Sequence, residues 1–94
     1  ASIYGKESGG QPWFTSAKAA QIAYTKEISK LCKYSNITAN TICPGEIDVE
    51  KVPYKDYFGK PEDVANIVTF LCSPLAKHIN GACITVDGGA SYSF

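Results

Sequence analysis

The chain reads as α/β, one side of a doubly wound parallel sheet, on three observations. Ile37 to Cys43 and Gly81 to Val86 are short apolar runs of the kind that a parallel sheet buries on both faces. Between them a helical pattern starts at Pro61, and a connection that returns the chain to a parallel strand is right-handed. A longer helical pattern precedes the first run. Two parallel strands by themselves leave an edge and both faces uncovered, so helix–strand–helix–strand predicts part of a larger sheet.

Each element has its own signals. Residues 1–10 read as a loop ending in Ser8-Gly9-Gly10. Pro12 opens a helix over residues 11–33, where its missing N–H is harmless in the first turn. Trp13, Ala17, Ala20, Tyr24, Ile28 and Leu31 recur at steps of three and four, which predicts an apolar stripe. Ala17, Ala19, Ala20 and Ala23 either admit a second helix closely or simply favour helix. Tyr34-Ser35-Asn36 ends the helix. A strand and turn follow over 37–47, stopped by Pro44-Gly45. The loop 46–58 mixes charges of both signs with three aromatics, and a loop of that length suits a lid or a substrate-side surface. Its Tyr54, Tyr57 and Phe58 suggest a partly apolar or sugar-stacking surface. A second helix is expected over 61–73, with Glu62 and Asp63 at the positive end of its dipole and Val64, Ile67, Val68 and Leu71 as its stripe. The strand 81–86 ends at the turn Asp87-Gly88-Gly89.

Bulk properties narrow the function classes. A chain of 94 residues is one small domain at most. Nine basic residues balance nine acidic ones without a like-charged block, which argues against nucleic acid or an acidic membrane as an electrostatic partner. No apolar run approaches the ~18 residues of a membrane span, and no basic-then-apolar leader opens the chain. The first residue is Ala rather than Met, which reads as a processed or cut start. Cys32, Cys43, Cys72 and Cys83 show no Cys-x-x-Cys or zinc spacing. They are expected to be reduced and buried, in a cytoplasmic protein. His78 stands alone in a turn with no ligand-spaced Asp or Cys, so no metal site is expected.

Four segments in order resemble the C-terminal part of the short-chain dehydrogenase/reductase family. These are "ASIYG", "FTSAKAA" where the family has Tyr-x-x-x-Lys, "NITANTICPGEI", and "GKPEDVANIVTFLCSPLAKHINGACITVDGG". The resemblance covers nearly the whole chain. It implies a Rossmann-type doubly wound parallel sheet and a homodimer or homotetramer built through the long helix and the closing helix–strand. It also implies NAD or NADP as cofactor in the full-length protein. The glycine-rich phosphate turn of the family's N-terminal half is absent from these residues, so no cofactor binding is expected for the isolated fragment.

Residue by residue, the resemblance implies that Ser2 polarises a substrate carbonyl. Lys18 would hold the nicotinamide ribose and lower the pKa of a catalytic phenol, while Pro44, Gly45 and Ile47 would line the nicotinamide pocket. The catalytic phenol itself is missing, because Phe14 stands at the position of the family's Tyr. A phenyl ring keeps the shape and cannot move a proton, and loss of a general acid or base typically costs about 10²–10⁴ in rate. Asp48-Val49 also follows the Pro-Gly-x-Ile turn where the family commonly has a Thr. Tyr4, two residues after Ser2, offers another phenol. Three functions follow: an NAD(P)-dependent oxidoreductase for a small carbonyl or secondary alcohol, impaired at Phe14; a non-catalytic binding or assembly subunit; or an independent module that only imitates the pattern.

Overall fold

The computed structural model describes residues 1–50 and 57–94. Prolines set the start of both long helices. Pro12 opens α1 (Pro12–Leu31) and Pro61 opens α2 (Pro61–Leu71), each in the first turn, where a proline N–H is not needed. The strands are β1 (Thr41–Pro44) and β2 (Cys83–Val86), and 3-10 turns cover Ile3–Gly5 and Pro74–Ala76. β1 and β2 pair in parallel, Thr41 opposite Cys83 and Pro44 opposite Val86. The chain is therefore α/β with a parallel pair and a helical crossover, as its sequence predicts.

Apart from Ile28, which is half-buried, α1 turns the opposite face inward from the one its periodicity suggests. Trp13, Tyr24 and Leu31 of the expected stripe are 73%, 70% and 82% exposed, and Ala17 and Ala20 are exposed as well. The covered side runs through Thr15, Lys18, Ala19, Ile22, Thr25 and the buried Ser29. Backbone packing explains the choice. A Cβ on Gly5 would stand 2.8 Å from the Lys18 carbonyl carbon, and one on Gly81 would stand 2.6 Å from Ser29 Oγ. Two glycines thus press the chain against the small side chains and backbone of α1, and Gly81 also needs its φ of 81°. The aromatic stripe is left facing outward.

Both strands are shorter than their apolar runs. Ile37–Asn40 and Gly81–Ala82 are not strand: the Gly81 N–H still donates to Ala39 O (2.8 Å), but side-chain amides take the neighbouring bonds. Asn80 Oδ1 accepts from the Ala39 N–H (3.0 Å) and Asn80 Nδ2 donates to Ser29 O (2.9 Å). Asn40 Oδ1 accepts from the Ala82 N–H, and its Nδ2 donates to Ile79 O, both at 2.9 Å. These two amides meet the backbone's demand for partners where regular pairing stops.

α2 begins with a reciprocal pair. The Asp63 carboxylate accepts from the Lys60 N–H (2.7 Å), while the Asp63 N–H donates to Lys60 O (2.9 Å). It ends at Leu71 rather than at residue 73, since the Ser73 hydroxyl turns back to Phe70 O (2.7 Å). A cavity of about 870 Å³ separates its Val68–Cys72 end from Asn40 and Ile42.

Among the described residues the most buried are Ile3, Cys43, Ala76, Ser29 and Thr41, and β1 meets α1 and the Ile3–Gly5 turn. The expected burial of all four cysteines is corrected. Cys43 is fully buried and Cys32 half-buried, but Cys72 and Cys83 are exposed, and all four are free thiols. Cys72 follows the last turn of α2 and Cys83 opens β2, neither of which has a second layer over it. Among the described residues no helix is long and apolar enough to cross a membrane.

Candidate active site

Three segments converge: the 3-10 turn with Ser2 at its N-cap, the first turns of α1, and the Pro44–Ile47 turn after β1. Ser2 is extended, and its Oγ accepts from the Tyr4 N–H (3.1 Å), which leaves the hydroxyl proton free to point elsewhere. The main-chain nitrogen of Ala1 donates to Ile42 O (2.9 Å), so this segment lies along the edge of β1 opposite β2. Gly5, three residues after Ser2, rests on the backbone of Lys18.

Phe14 and Lys18 share one face of α1, as a spacing of four requires. The Lys18 ammonium stands 5.3 Å from the Phe14 ring centroid, and Trp13 packs edge-on to the same ring at 5.7 Å. Among the described residues Lys18 has no ion pair. Its cation rests on a π face, within the distance at which ring quadrupoles attract ammonium groups. The Phe14 ring also borders Gly10, where a Cβ would meet Phe14 Cδ1 at 3.1 Å and Tyr4 Cβ at 3.4 Å. Tyr4 and Phe14 therefore flank the same glycine.

Tyr4 spans to the third segment. Its hydroxyl donates to Glu46 Oε1 (3.1 Å), across 42 residues of chain. That hydrogen bond, then the Glu46 charge, then partial burial and the Glu7 charge, raise the phenol above its ordinary value of 10.0. Glu46 belongs to the Pro44–Ile47 turn. Gly45 packs so closely on Asp87 that a Cβ would lie 2.7 Å from Asp87 Cβ. Gly59 then bridges Ile47 in parallel, its N–H donating to Glu46 O (3.0 Å) and its carbonyl accepting from the Asp48 N–H (2.8 Å). In such a bridge the central residue turns its own N–H and C=O to the other side. Ile47 thus presents both backbone groups away from Gly59.

Sequence reasoning missed the ties behind this site. The Lys6 ammonium donates to Thr85 Oγ1 (3.1 Å), and Glu7 Oε2 accepts from the N–H groups of Tyr92 and Ser93, both at 3.0 Å. Asp87 accepts from the Ser91 hydroxyl (2.6 Å) and from the N–H groups of Ser91 (2.7 Å) and Gly89 (2.9 Å). Those bonds, the Ser91 hydroxyl first, hold its carboxyl below the ordinary 3.8. The partners lie far along the chain or in a tail with no periodicity, and only Asp87-Gly88-Gly89 gave a local turn signal. Of the expected aromatic surface on the loop, Tyr54 lies outside the described residues, and Tyr57 and Phe58 stack edge-to-face at 4.7 Å.

A family model described as enoyl-(acyl carrier protein) reductase matches residues 1–91. The 3-oxoacyl-(acyl-carrier-protein) reductase FabG of Aquifex aeolicus (strain VF5) is 38% identical over 94 residues, covering 85% of this chain and 38% of that protein. Cyclohexanol dehydrogenase of Rhodococcus sp. (strain TK6) is 33% identical over 104 residues, covering 94% of this chain and 38% of that protein. The solved structure of 4-hydroxyisoleucine dehydrogenase complexed with NADH superposes with a TM-score of 0.85 at 29% identity, over 95% of this chain and 43% of that one. The chain thus spans well under half the length of each. With almost every residue inside the family model and the parallel fold shared, the chain belongs to the short-chain dehydrogenase/reductase family.

Proposed function

We propose that this chain forms the substrate and nicotinamide side of an NAD(P)-dependent oxidoreductase that interconverts a small carbonyl and its secondary alcohol. The observation that carries the proposal is the convergence on α1: Lys18 beneath the Phe14 ring, with the Ser2 turn pressed on the Lys18 backbone through Gly5. Relatives named as a 3-oxoacyl reductase and a cyclohexanol dehydrogenase both act at a carbon–oxygen bond, and another was solved with NADH.

The residues present suit a nicotinamide. The Lys18 ammonium has no carboxylate partner among the described residues and is free to meet ribose hydroxyls. Ile47 offers an outward N–H and C=O, the pattern a carboxamide matches, and Pro44 and Gly45 would form the wall beside it. When bound, the nicotinamide supplies or accepts the hydride. The chain's own part is to orient the substrate, with Ser2 donating to its oxygen, and to manage one proton. Phe14 preserves the shape of the site and removes the ordinary proton donor, so the proposed activity is impaired. A cytoplasmic homodimer or homotetramer completes the proposal, supported by the free thiols and by the exposed Trp13, Tyr24 and Leu31 stripe.

A second reading, a non-catalytic binding or assembly subunit, is favoured by the same phenyl ring at position 14. Phe14→Tyr in the full-length protein separates the two. An active site otherwise intact predicts at least about a tenfold rise in carbonyl reduction. No carbonyl reduction by either protein, with cofactor demonstrably bound, would instead assign the non-catalytic role.

A further inference from the structure

We propose that Tyr4, held by Glu46, supplies the proton that Phe14 cannot. The inference rests on the oxidoreductase reading above. Tyr4 belongs to the turn capped by Ser2, whose Oγ accepts the Tyr4 N–H, so the backbone ties the phenol to the group proposed to orient the substrate oxygen. Its Cβ borders Gly10, as the Phe14 ring does, and its ring covers Gly9, where any Cβ would overlap Tyr4 Cε1. The Tyr4 side chain therefore leaves the backbone beside the Phe14 ring, and its own ring runs over Gly9. Its Oη is fixed at 3.1 Å from Glu46 Oε1, in the turn that carries Ile47. The two flanking segments of the proposed site are joined by one proton-bearing bond.

The chemistry balances. In reduction, hydride from the reduced nicotinamide dinucleotide forms the new C–H bond, and the carbonyl π pair moves to oxygen. Rotation about the Cζ–Oη bond turns the Tyr4 hydroxyl from Glu46 to that oxygen. The phenolic O–H breaks, the product O–H forms, and the phenolate takes its proton back from water. The substrate is reduced and the dinucleotide oxidised. In the reverse direction the alcohol proton passes to Tyr4 Oη as the phenol proton moves to the Glu46 carboxylate, which returns it to water. The charged groups facing the phenol are Glu46 and Glu7, and both favour its protonated form. At neutral pH it is therefore a donor in waiting.

A four-member comparison of the full-length protein tests this: wild type, Tyr4→Phe, Phe14→Tyr and the double variant, each assayed for carbonyl reduction with saturating dinucleotide. The expected result is a fall of about 10²-fold for Tyr4→Phe in the wild-type background and less than about threefold in the Phe14→Tyr background. A role in merely holding the turn would lower both alike, and that outcome overturns the proposal. Glu46→Gln keeps a hydrogen-bond acceptor and removes the charge, so the alkaline limb of the rate profile should move to lower pH. An unmoved limb also overturns it. A wild type that reduces nothing until Phe14→Tyr restores activity overturns the Tyr4 role and leaves the oxidoreductase reading standing. Inactivity of all four with dinucleotide bound removes that underlying reading instead.

Discussion

Gly5 and Lys18 meet backbone to backbone: a Cβ on Gly5 would lie 2.8 Å from the Lys18 carbonyl carbon, 2.9 Å from its oxygen and 3.0 Å from the Ala19 nitrogen. None of those atoms belongs to a flexible side chain, so an added methyl must displace either the turn or the helix. Gly5→Ala is expected to destabilise the fold by about 1–3 kcal/mol, the usual effect of overpacking. It should also lower the reduction rate, because Ser2 rides on the displaced turn and shifts of about 1 Å at a reacting centre cost on the order of 10²-fold. Urea unfolding and kcat, measured together, check this. Wild-type stability and rate would show that the turn does not set the position of Ser2.

Asp87 makes the tail sensitive to acid. Its folded carboxyl lies below the ordinary 3.8, through the Ser91 hydroxyl first and then the Ser91 and Gly89 N–H groups. A depressed carboxyl contributes its stability in full above the unfolded value and loses it as pH falls through the folded one. The attachment of residues 89–91 should therefore be constant above about pH 5 and weaken below about pH 4. Ser91→Ala should raise the midpoint for Asp87 in a carboxyl NMR titration. An identical midpoint in both proteins would remove the Ser91 hydroxyl as the cause.

The thiols should separate by reactivity. Burial, and then the hydrogen bond shared with Cys83 at 3.5 Å, push the Cys43 thiol up to about 11. Only thiolate alkylates, so iodoacetamide at pH 8 should modify Cys72 and Cys83 well before Cys43, as read by peptide mass spectrometry. The sign of the linkage is opposite to that of Asp87. Unfolded thiol ionises from about 9.0 while the folded one keeps its proton, so burial of Cys43 contributes less stability as pH rises from about 9 to about 11. Early modification of Cys43 in the folded chain would contradict its burial.

Helix starts and element order were legible because they depend on local chemistry. Pro12 and Pro61 mark first turns wherever they fall, and Asp63 caps a helix three residues away. The inward face of α1 was not legible. Hydrophobic periodicity selects Trp13, Tyr24 and Leu31, whereas contact is decided by where Gly5 and Gly81 bring backbone against Lys18 and Ser29. The Phe14–Lys18 spacing was readable as a helical neighbour relation, and Ser2 only through resemblance. The Tyr4–Glu46 and Glu7–Tyr92 bonds join residues 42 and 85 apart in sequence, and nothing local announces such pairings.

Asn40 and Asn80 work as a register stop. Sliding β1 by one residue along β2 would separate Asn40 from both Ile79 O and the Ala82 N–H, and would carry the Ala39 N–H away from Asn80 Oδ1. It would also reverse which faces the strand residues meet. Beyond the other end of the same strand stand Gly45, seated on Asp87, and Ile47, with its outward backbone pair. The two amides therefore act as the zero mark of a ruler: the distance along β1 from Asn40 to Ile47 sets where the proposed nicotinamide wall stands.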